Sequence, residues 1–245
     1  MDDHKANDIA YESMVLDRER AALGAWSPES DRTESFALKC NAVGLIGLRP
    51  GAVVLDFGAG FCQVSEWLAE TKPVTCIALD LFHDYLAMSK ARWTRRRRGR
   101  EPGRLMYLRG DGEQLGLRDG SVDAVVTWAV LHHMPNLPKA VAELRRVLKP
   151  GGRCLVVEPN AQSPARRAKE LYMRLRYGML EKSFHPRRLA DVFERGGFTV
   201  TAADIAKQRT ILKRRRLPQY VLHRLKNSRA LGAYLNEILF VATKR

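Results

Sequence analysis

The stretch Val53 to Gln63, Val-Val-Leu-Asp-Phe-Gly-Ala-Gly-Phe-Cys-Gln, constrains this chain most. A short run of Val53, Val54 and Leu55 breaks into Gly58 and Gly60 and resumes as Val64-Ser65-Glu66-Trp67-Leu68-Ala69, which has a helical pattern. That order predicts a buried strand, a glycine turn and a helix start. Glycines lack Cβ, so the backbone can turn tightly and approach a ligand held over the free N–H groups of the helix N-terminus. A strand feeding such a turn is the usual first unit of a doubly wound α/β domain. A dinucleotide fingerprint would place a third glycine at position 63. Gln63 stands there, which weakens that reading.

Downstream, apolar runs alternate with helical patterns. Val74 to Asp80 reads as a second strand, ending in a carboxylate 24 residues beyond Asp56. An acid about 20 residues past a glycine turn is placed to accept from both ribose hydroxyls, so Asp80 is the leading cofactor residue. Phe82 to Trp93 predicts a helix and Arg95 to Arg100 a solvated loop; Leu105 to Leu108 predicts a third strand leading into Gly110-Asp111-Gly112-Glu113. Glu113 suits a helix start, where acids favour the positive end of the dipole. Asp123 opens a fourth strand that leaves at Thr127-Trp128 and runs on to Leu131-His132-His133. Leu137 to Leu148 is an amphipathic helix stopped by Lys149-Pro150-Gly151-Gly152. Arg153 to Val157 is a fifth strand ending in Glu158-Pro159-Asn160. Pro186 to Arg195 predicts a helix, Phe198 to Ala203 a strand, and Asn236 to Thr243 a last strand.

Residues 1–50 read as a helical cap: Tyr11, Met14 and Val15 share one face, Ser27-Pro28 interrupts, and Phe36, Cys40, Val43 and Leu45 to Leu48 form a second helix. Lying over the cleft as a lid and simply capping the sheet are equal readings. The rest, residues 51–245, forms one domain with a basic insertion at about 205–235. The four cysteines make no CxxC pair and no metal-ligand spacing, so they read as small buried residues and no metal is expected. The start, Met1-Asp2-Asp3-His4-Lys5, lacks an apolar core, so a cytoplasmic location is expected. The net charge of +15 points to an anionic partner, substrate or surface.

Asp56-Phe57-Gly58-Ala59-Gly60, Asp80, Gly110-Asp111, the Asp123 strand with Leu131-His132-His133, and Leu148-Lys149-Pro150-Gly151-Gly152 follow in order at fitting separations. Together they resemble class I S-adenosylmethionine (SAM) methyltransferases, in the small-molecule branch that includes quinone-ring and sterol-type methylases. The resemblance covers roughly residues 50–160. It implies a Rossmann-like, mostly parallel seven-stranded sheet with the final strand antiparallel, and SAM as cofactor. It places Asp56, Gly58, Ala59 and Gly60 at the turn, Asp80 and Leu81 at the ribose, and Asp111 and Gly112 at the adenine. Thr127 and Trp128 fall at the fourth strand exit. Cys62 stands where the family has a third glycine and is expected to crowd the methionine end.

Methyl transfer is an in-line displacement at an activated carbon, so alignment and water exclusion are the main protein tasks. An oxygen or nitrogen nucleophile also needs a base, and His133 is the candidate, with His185 second. Packing of the His132–His133 pair with no chemistry is a rival of at least equal weight. Glu158 and Asn160 are further acceptor-facing candidates.

These readings make the chain a cytoplasmic SAM-dependent methyltransferase of a small-molecule or lipid-like acceptor, O-methylation favoured. Between Lys207 and Arg229 stand nine Lys or Arg residues and no acid, interleaved with apolar residues. That pattern suits either peripheral docking on an anionic membrane or a solvated insertion. Methylation of RNA is the second enzyme reading, motivated by charge, but Thr127-Trp128-Ala129-Val130 is not the Asn/Asp-Pro-Pro-aromatic motif used on base amines. A non-catalytic scaffold of the same fold is the third reading, supported only by Cys62.

Overall fold

The computed structural model describes residues 34–97, 99–177, 182–202 and 237–245. The Tyr11–Val15 face, most of the expected cap, and the basic insertion at 205–235 with its 207–229 stretch lie outside these residues.

Among the described residues seven strands form one sheet: β1 (Val53–Phe57), β2 (Thr75–Asp80), β3 (Arg104–Arg109), β4 (Val122–Trp128), β5 (Leu148–Pro159), β6 (Phe198–Ala202) and β7 (Glu237–Lys244). Their spatial order is β3-β2-β1-β4-β5-β7-β6. The pairs among β1 to β5 are parallel, while β7 runs antiparallel to both β5 and β6. The doubly wound, mostly parallel sheet implied by the sequence is what forms. β1, β2 and β4 are buried nearly throughout, which explains why they read as continuous apolar runs rather than as alternating strands.

Helices cover both faces: α1 (Glu34–Val43), α2 (Gln63–Thr71), α3 (His83–Arg96), α4 (Leu137–Val147), α5 (Pro164–Tyr177) and α6 (Pro186–Arg195). One core cluster packs Leu144, Val147, Leu189 and Phe193 against Phe57, Val125 and Phe240. The other packs Val43, Val64 and Leu68 against Val54, Val126 and Leu155. Asn136 caps α4, its side chain accepting from the Lys139 N–H at 3.1 Å. Asp123 sits at an irregularity in the β4–β5 register, and its carboxylate accepts from Val53 N at 2.8 Å and Lys149 Nζ at 2.7 Å.

Several local expectations are corrected. The second apolar helix of the cap ends at Val43, and Gly44–Ile46 tightens into a single 3-10 turn stopped by Gly47 at φ 60°. Glu113 starts no helix; its Oε1 accepts from Asn136 N at 2.7 Å and holds the start of α4 from outside. Arg95 and Arg96 extend α3, where cations favour the helix C-terminus. The helix α5, rich in arginine, was not anticipated at all.

The strand order reverses between β1 and β4. The connections leave these neighbours in opposite directions, so a crevice opens beyond their carboxyl ends.

Candidate cofactor and acceptor site

The glycine turn after β1 is bent back against β2. Gly58 N and Ala59 N both donate to Leu79 O at 2.9 Å, and Gly58 takes φ 69°. A Cβ on Gly58 would stand 2.4 Å from Val130 Cγ2, so glycine is required there for two independent reasons. Cys62 ends the turn at φ 56°, in the left-handed region that a glycine would occupy without strain. Its side chain is fully buried against Ala78 and Leu86, so it turns away from the crevice, and the crowding expected of it does not arise. Burial pushes its thiol well above the usual range, the nearby Asp56 charge adding to the effect.

The crevice holds about 280 Å³. Asp56, Gly58, Ala59, Gly60, Asp80 and Leu81 line it, and so do Asp111, Gly112, Trp128 and His133. Thr127 does not. It is fully buried, and its hydroxyl has no hydrogen-bond partner among the described residues. Strand alternation is the reason: adjacent residues of β4 face opposite sides, so Trp128 reaches the crevice and Thr127 does not.

Asp80 is the organising carboxylate. Its Oδ2 accepts from Gly60 N at 2.7 Å and its Oδ1 from Phe82 N at 2.9 Å, tying the glycine turn to the start of α3. With Leu81 as a third backbone donor, the carboxylate still has accepting capacity left for a ligand hydroxyl. Burial raises its pKa, against the lowering effect of those backbone donors. Asp56 accepts from Ser65 Oγ at 2.5 Å, and burial raises its pKa to about 6, against the Ser65 bond and the Lys39 charge. Asp111 folds its carboxylate over its own loop, accepting from Glu113 N at 2.9 Å.

A buried ion cluster supports the turn from behind. Glu66 on α2 is fully buried, with Arg92 Nη2 2.5 Å and Arg96 Nη1 3.0 Å away, and it also accepts from Ser89 Oγ at 2.6 Å. Arg92 Nη2 donates to Phe61 O at 2.6 Å as well, so the same guanidinium clamps α2 to α3 and holds the loop backbone. A buried acid with a basic partner 26 positions away leaves no trace in hydrophobic periodicity.

Beyond β4 the chain turns at Ala129, a second non-glycine residue in the left-handed region, at φ 56°. Glu158 holds the loop from Val130 to His132 in place. Its Oε1 accepts from Val130 N at 2.8 Å and Leu131 N at 2.7 Å, and its Oε2 lies 2.7 Å from His132 Nδ1. Glu158 thus shapes the loop, and it also lines the smaller cavity described below. His132 is buried, and its ring centroid lies 4.1 Å from that of His133, which faces the crevice. His185 is elsewhere, at the start of α6 with Nε2 3.0 Å from Gln162 Nε2, and it does not line the crevice. Asn160 is buried and accepts from Gln162 N at 3.0 Å.

Sequence reasoning missed Lys39 and the aromatic residues. Lys39 on α1 lines the crevice, with Nζ 5.6 Å above the Trp128 ring. Phe57, Phe61, Phe82 and Tyr85 supply apolar wall, Phe61 and Tyr85 having ring centroids 4.5 Å apart. Aromatics beside the turn were visible in the sequence; the reach of Lys39 was not. A second, smaller cavity of about 160 Å³ adjoins through Trp128 and Ala129, with Val157, Pro159, Arg166 and Lys169 among its walls. Among the described residues no group of three or more His, Cys, Asp or Glu is placed to hold a metal ion.

Comparison with known proteins shows what this part of the chain is similar to. Residues 55–156 match the family described as a methyltransferase domain. Demethylmenaquinone methyltransferase of Corynebacterium glutamicum is 34% identical over 113 residues, 46% of this chain and 44% of that protein. The malonyl-[acyl-carrier protein] O-methyltransferase of Serratia marcescens is 35% identical over 148 residues, 60% of this chain and 53% of that protein. The chain thus spans about half the length of these relatives. The YcgJ protein of Bacillus subtilis shares the fold, with a TM-score of 0.62 at 19% identity, covering 85% of this chain and 98% of that one. Residues 55–156, which carry most of β1, the glycine turn, Asp80, Asp111 and the histidine loop, are thus similar to the methyltransferase domain family, and the fold is the one these methyltransferases share.

Proposed function

We propose that this protein binds SAM in the crevice between β1 and β4 and methylates a small-molecule or lipid-like acceptor, with oxygen the favoured accepting atom. The observation that carries the reading is Asp80. Its carboxylate joins the glycine turn to the start of α3 and sits in the same crevice as Asp111 and His133. The residues fit the cofactor. A carboxylate with spare lone pairs suits a pair of ribose hydroxyls, Asp111 suits an exocyclic amine, and a Cβ on Gly60 would meet no protein atom within 4 Å on the crevice wall. The aromatic rings and Asp56 suit a cationic sulfonium. When bound, that group supplies a methyl already activated for displacement.

The chain supplies the rest. α1 brings Lys39 to the crevice, so we assign α1 the role of cover, which excludes water from the reacting atoms. The smaller cavity beyond Trp128 and Ala129 is assigned to the body of the acceptor, with its reacting hydroxyl reaching past Ala129 into the crevice that His133 lines. His133 takes the proton from an acceptor hydroxyl. His132 lies against it and is anchored by Glu158, which gives the His133 ring a fixed wall on one side. Orienting both reactants can contribute ~7–11 kcal/mol of barrier reduction, more than the proton transfer at about 10²–10⁴-fold. Malonyl-[acyl-carrier protein] O-methyltransferase, among the relatives, supports oxygen as the accepting atom.

The test is calorimetric titration with SAM. Wild type is expected to bind saturably, and Asp80→Ala to lose at least about tenfold in affinity, since one charge-assisted bond contributes ~1.5–3 kcal/mol. Equal affinity in the two proteins, each shown folded by circular dichroism, overturns the assignment.

A further inference from the structure

The helix α5 carries its apolar stripe on the wrong side for a globular protein. Leu171, Tyr172 and Leu175 are 58%, 56% and 77% exposed, and with exposed Ala168 they occupy positions i, i+3, i+4 and i+7 of one outward face. Met173, on the opposite side, is buried and anchors the helix. Of the five large apolar residues exposed among the described residues, three are on this single stripe, so it is a patch and not scatter. Cations border it on both sides. Arg167 and Arg174 flank one edge, Lys169 and Arg176 the other, all exposed. The one acid of the helix, Glu170, is turned to Ser183 and Arg166 and does not belong to the stripe. No described helix is long and apolar enough to cross a membrane, so this is a surface element.

The geometry points to α5 as a docking face for an anionic lipid surface. An outward apolar stripe between two rows of Lys and Arg lets leucines enter the acyl boundary while the cations stay at the headgroups. The alternatives fit worse electrostatically. A second copy meeting this face would press four cations against four. The basic 207–229 stretch, with nine Lys or Arg and no acid, would add like charge to like. Placement agrees as well, since Lys169 belongs both to the border of the stripe and to the wall of the smaller cavity. An acceptor held in the lipid would therefore enter beside the docking face. This last step rests on the acceptor site proposed above; the docking itself does not.

Full-length protein is floated with vesicles of phosphatidylcholine alone and of phosphatidylcholine with about a third phosphatidylglycerol, at low and high salt. Wild type is expected on the anionic vesicles, with release at high salt. The double substitution Leu171→Gln/Leu175→Gln is expected to lower that partition roughly tenfold or more, from the apolar area withdrawn. It should keep the melting temperature and the SAM affinity of wild type. Absence of wild-type partition overturns the proposal, as does full partition of the variant, which would assign lipid binding to other basic segments. A several-degree fall in melting temperature would mean that the chain itself covers the stripe. Conversion of a dimer to a monomer in light scattering would make it a contact between copies. Either result rejects the lipid assignment, and none of these outcomes alters the SAM titration.

Discussion

Replacement of Asp56 by Asn should stabilise this protein while impairing its crevice. Asp56 is 4% exposed, and burial raises its pKa from 3.8 to about 6. A raised acid pKa means that the folded state holds the proton more tightly than the unfolded chain does. Folding is therefore unpenalised below the unfolded pKa, and wild type loses stability as pH climbs towards about 6. Two pKa units correspond to ~3 kcal/mol, the ceiling on what Asn can return. Asn keeps an acceptor for Ser65 Oγ, but its two N–H hydrogens need partners, which trims the gain to about 1–3 kcal/mol. For a chain of this size that is roughly 3–10 °C in melting temperature. Thermal melts of both proteins should show a difference that is full above about pH 7 and vanishes below about pH 4. A variant no more stable than wild type near neutral pH, or an advantage unchanged in acid, would refute the reasoning. The parallel expectation is weaker SAM binding, because a charge retained at such a cost in a ligand crevice is characteristic of functional sites.

Arg92→Met should cost about 2–4 kcal/mol in chemical denaturation, because Glu66 stays buried with only Arg96 and Ser89 to satisfy it. It should also weaken SAM binding, since Phe61 O loses its donor. Gly58→Ala should destabilise by about 1–3 kcal/mol, through a contact of 2.4 Å with Val130 and an unfavourable φ of 69°, and thermal melts will read the loss. At saturating SAM, His133→Asn should lower the single-turnover rate roughly 100-fold or more. An unaltered rate would reduce the histidine pair to packing.

The strands were legible because parallel central strands are buried on both faces and so appear as uninterrupted Val, Leu and Ile runs. The glycine turn and Asp80 were legible because chemistry there depends on backbone shape and spacing along one chain. The helix α5 escaped notice for a physical reason: its apolar positions face outward between arginines, so the segment looks like a charged loop rather than a packed helix. Thr127 stands one position before Trp128 and faces the core, and His185 starts α6 beside Gln162; neither orientation is written in the local sequence. Cys62 was read as an intrusion. In the folded chain it keeps the backbone conformation of the glycine it replaces and hides its sulfur in the core.

What the sequence by itself determined is what short-range periodicity encodes: the alternating strands and helices, the tight turn after β1, and the carboxylates at the strand ends. Only the tertiary structure decided which side chains share one crevice. Lys39 arrives from a helix preceding the sheet, Glu158 reaches back to shape the histidine loop, and Arg92 braces the glycine turn from 31 positions away. Contacts of that kind depend on how the sheet twists and how the helices are laid against it, and no local pattern of residues records either.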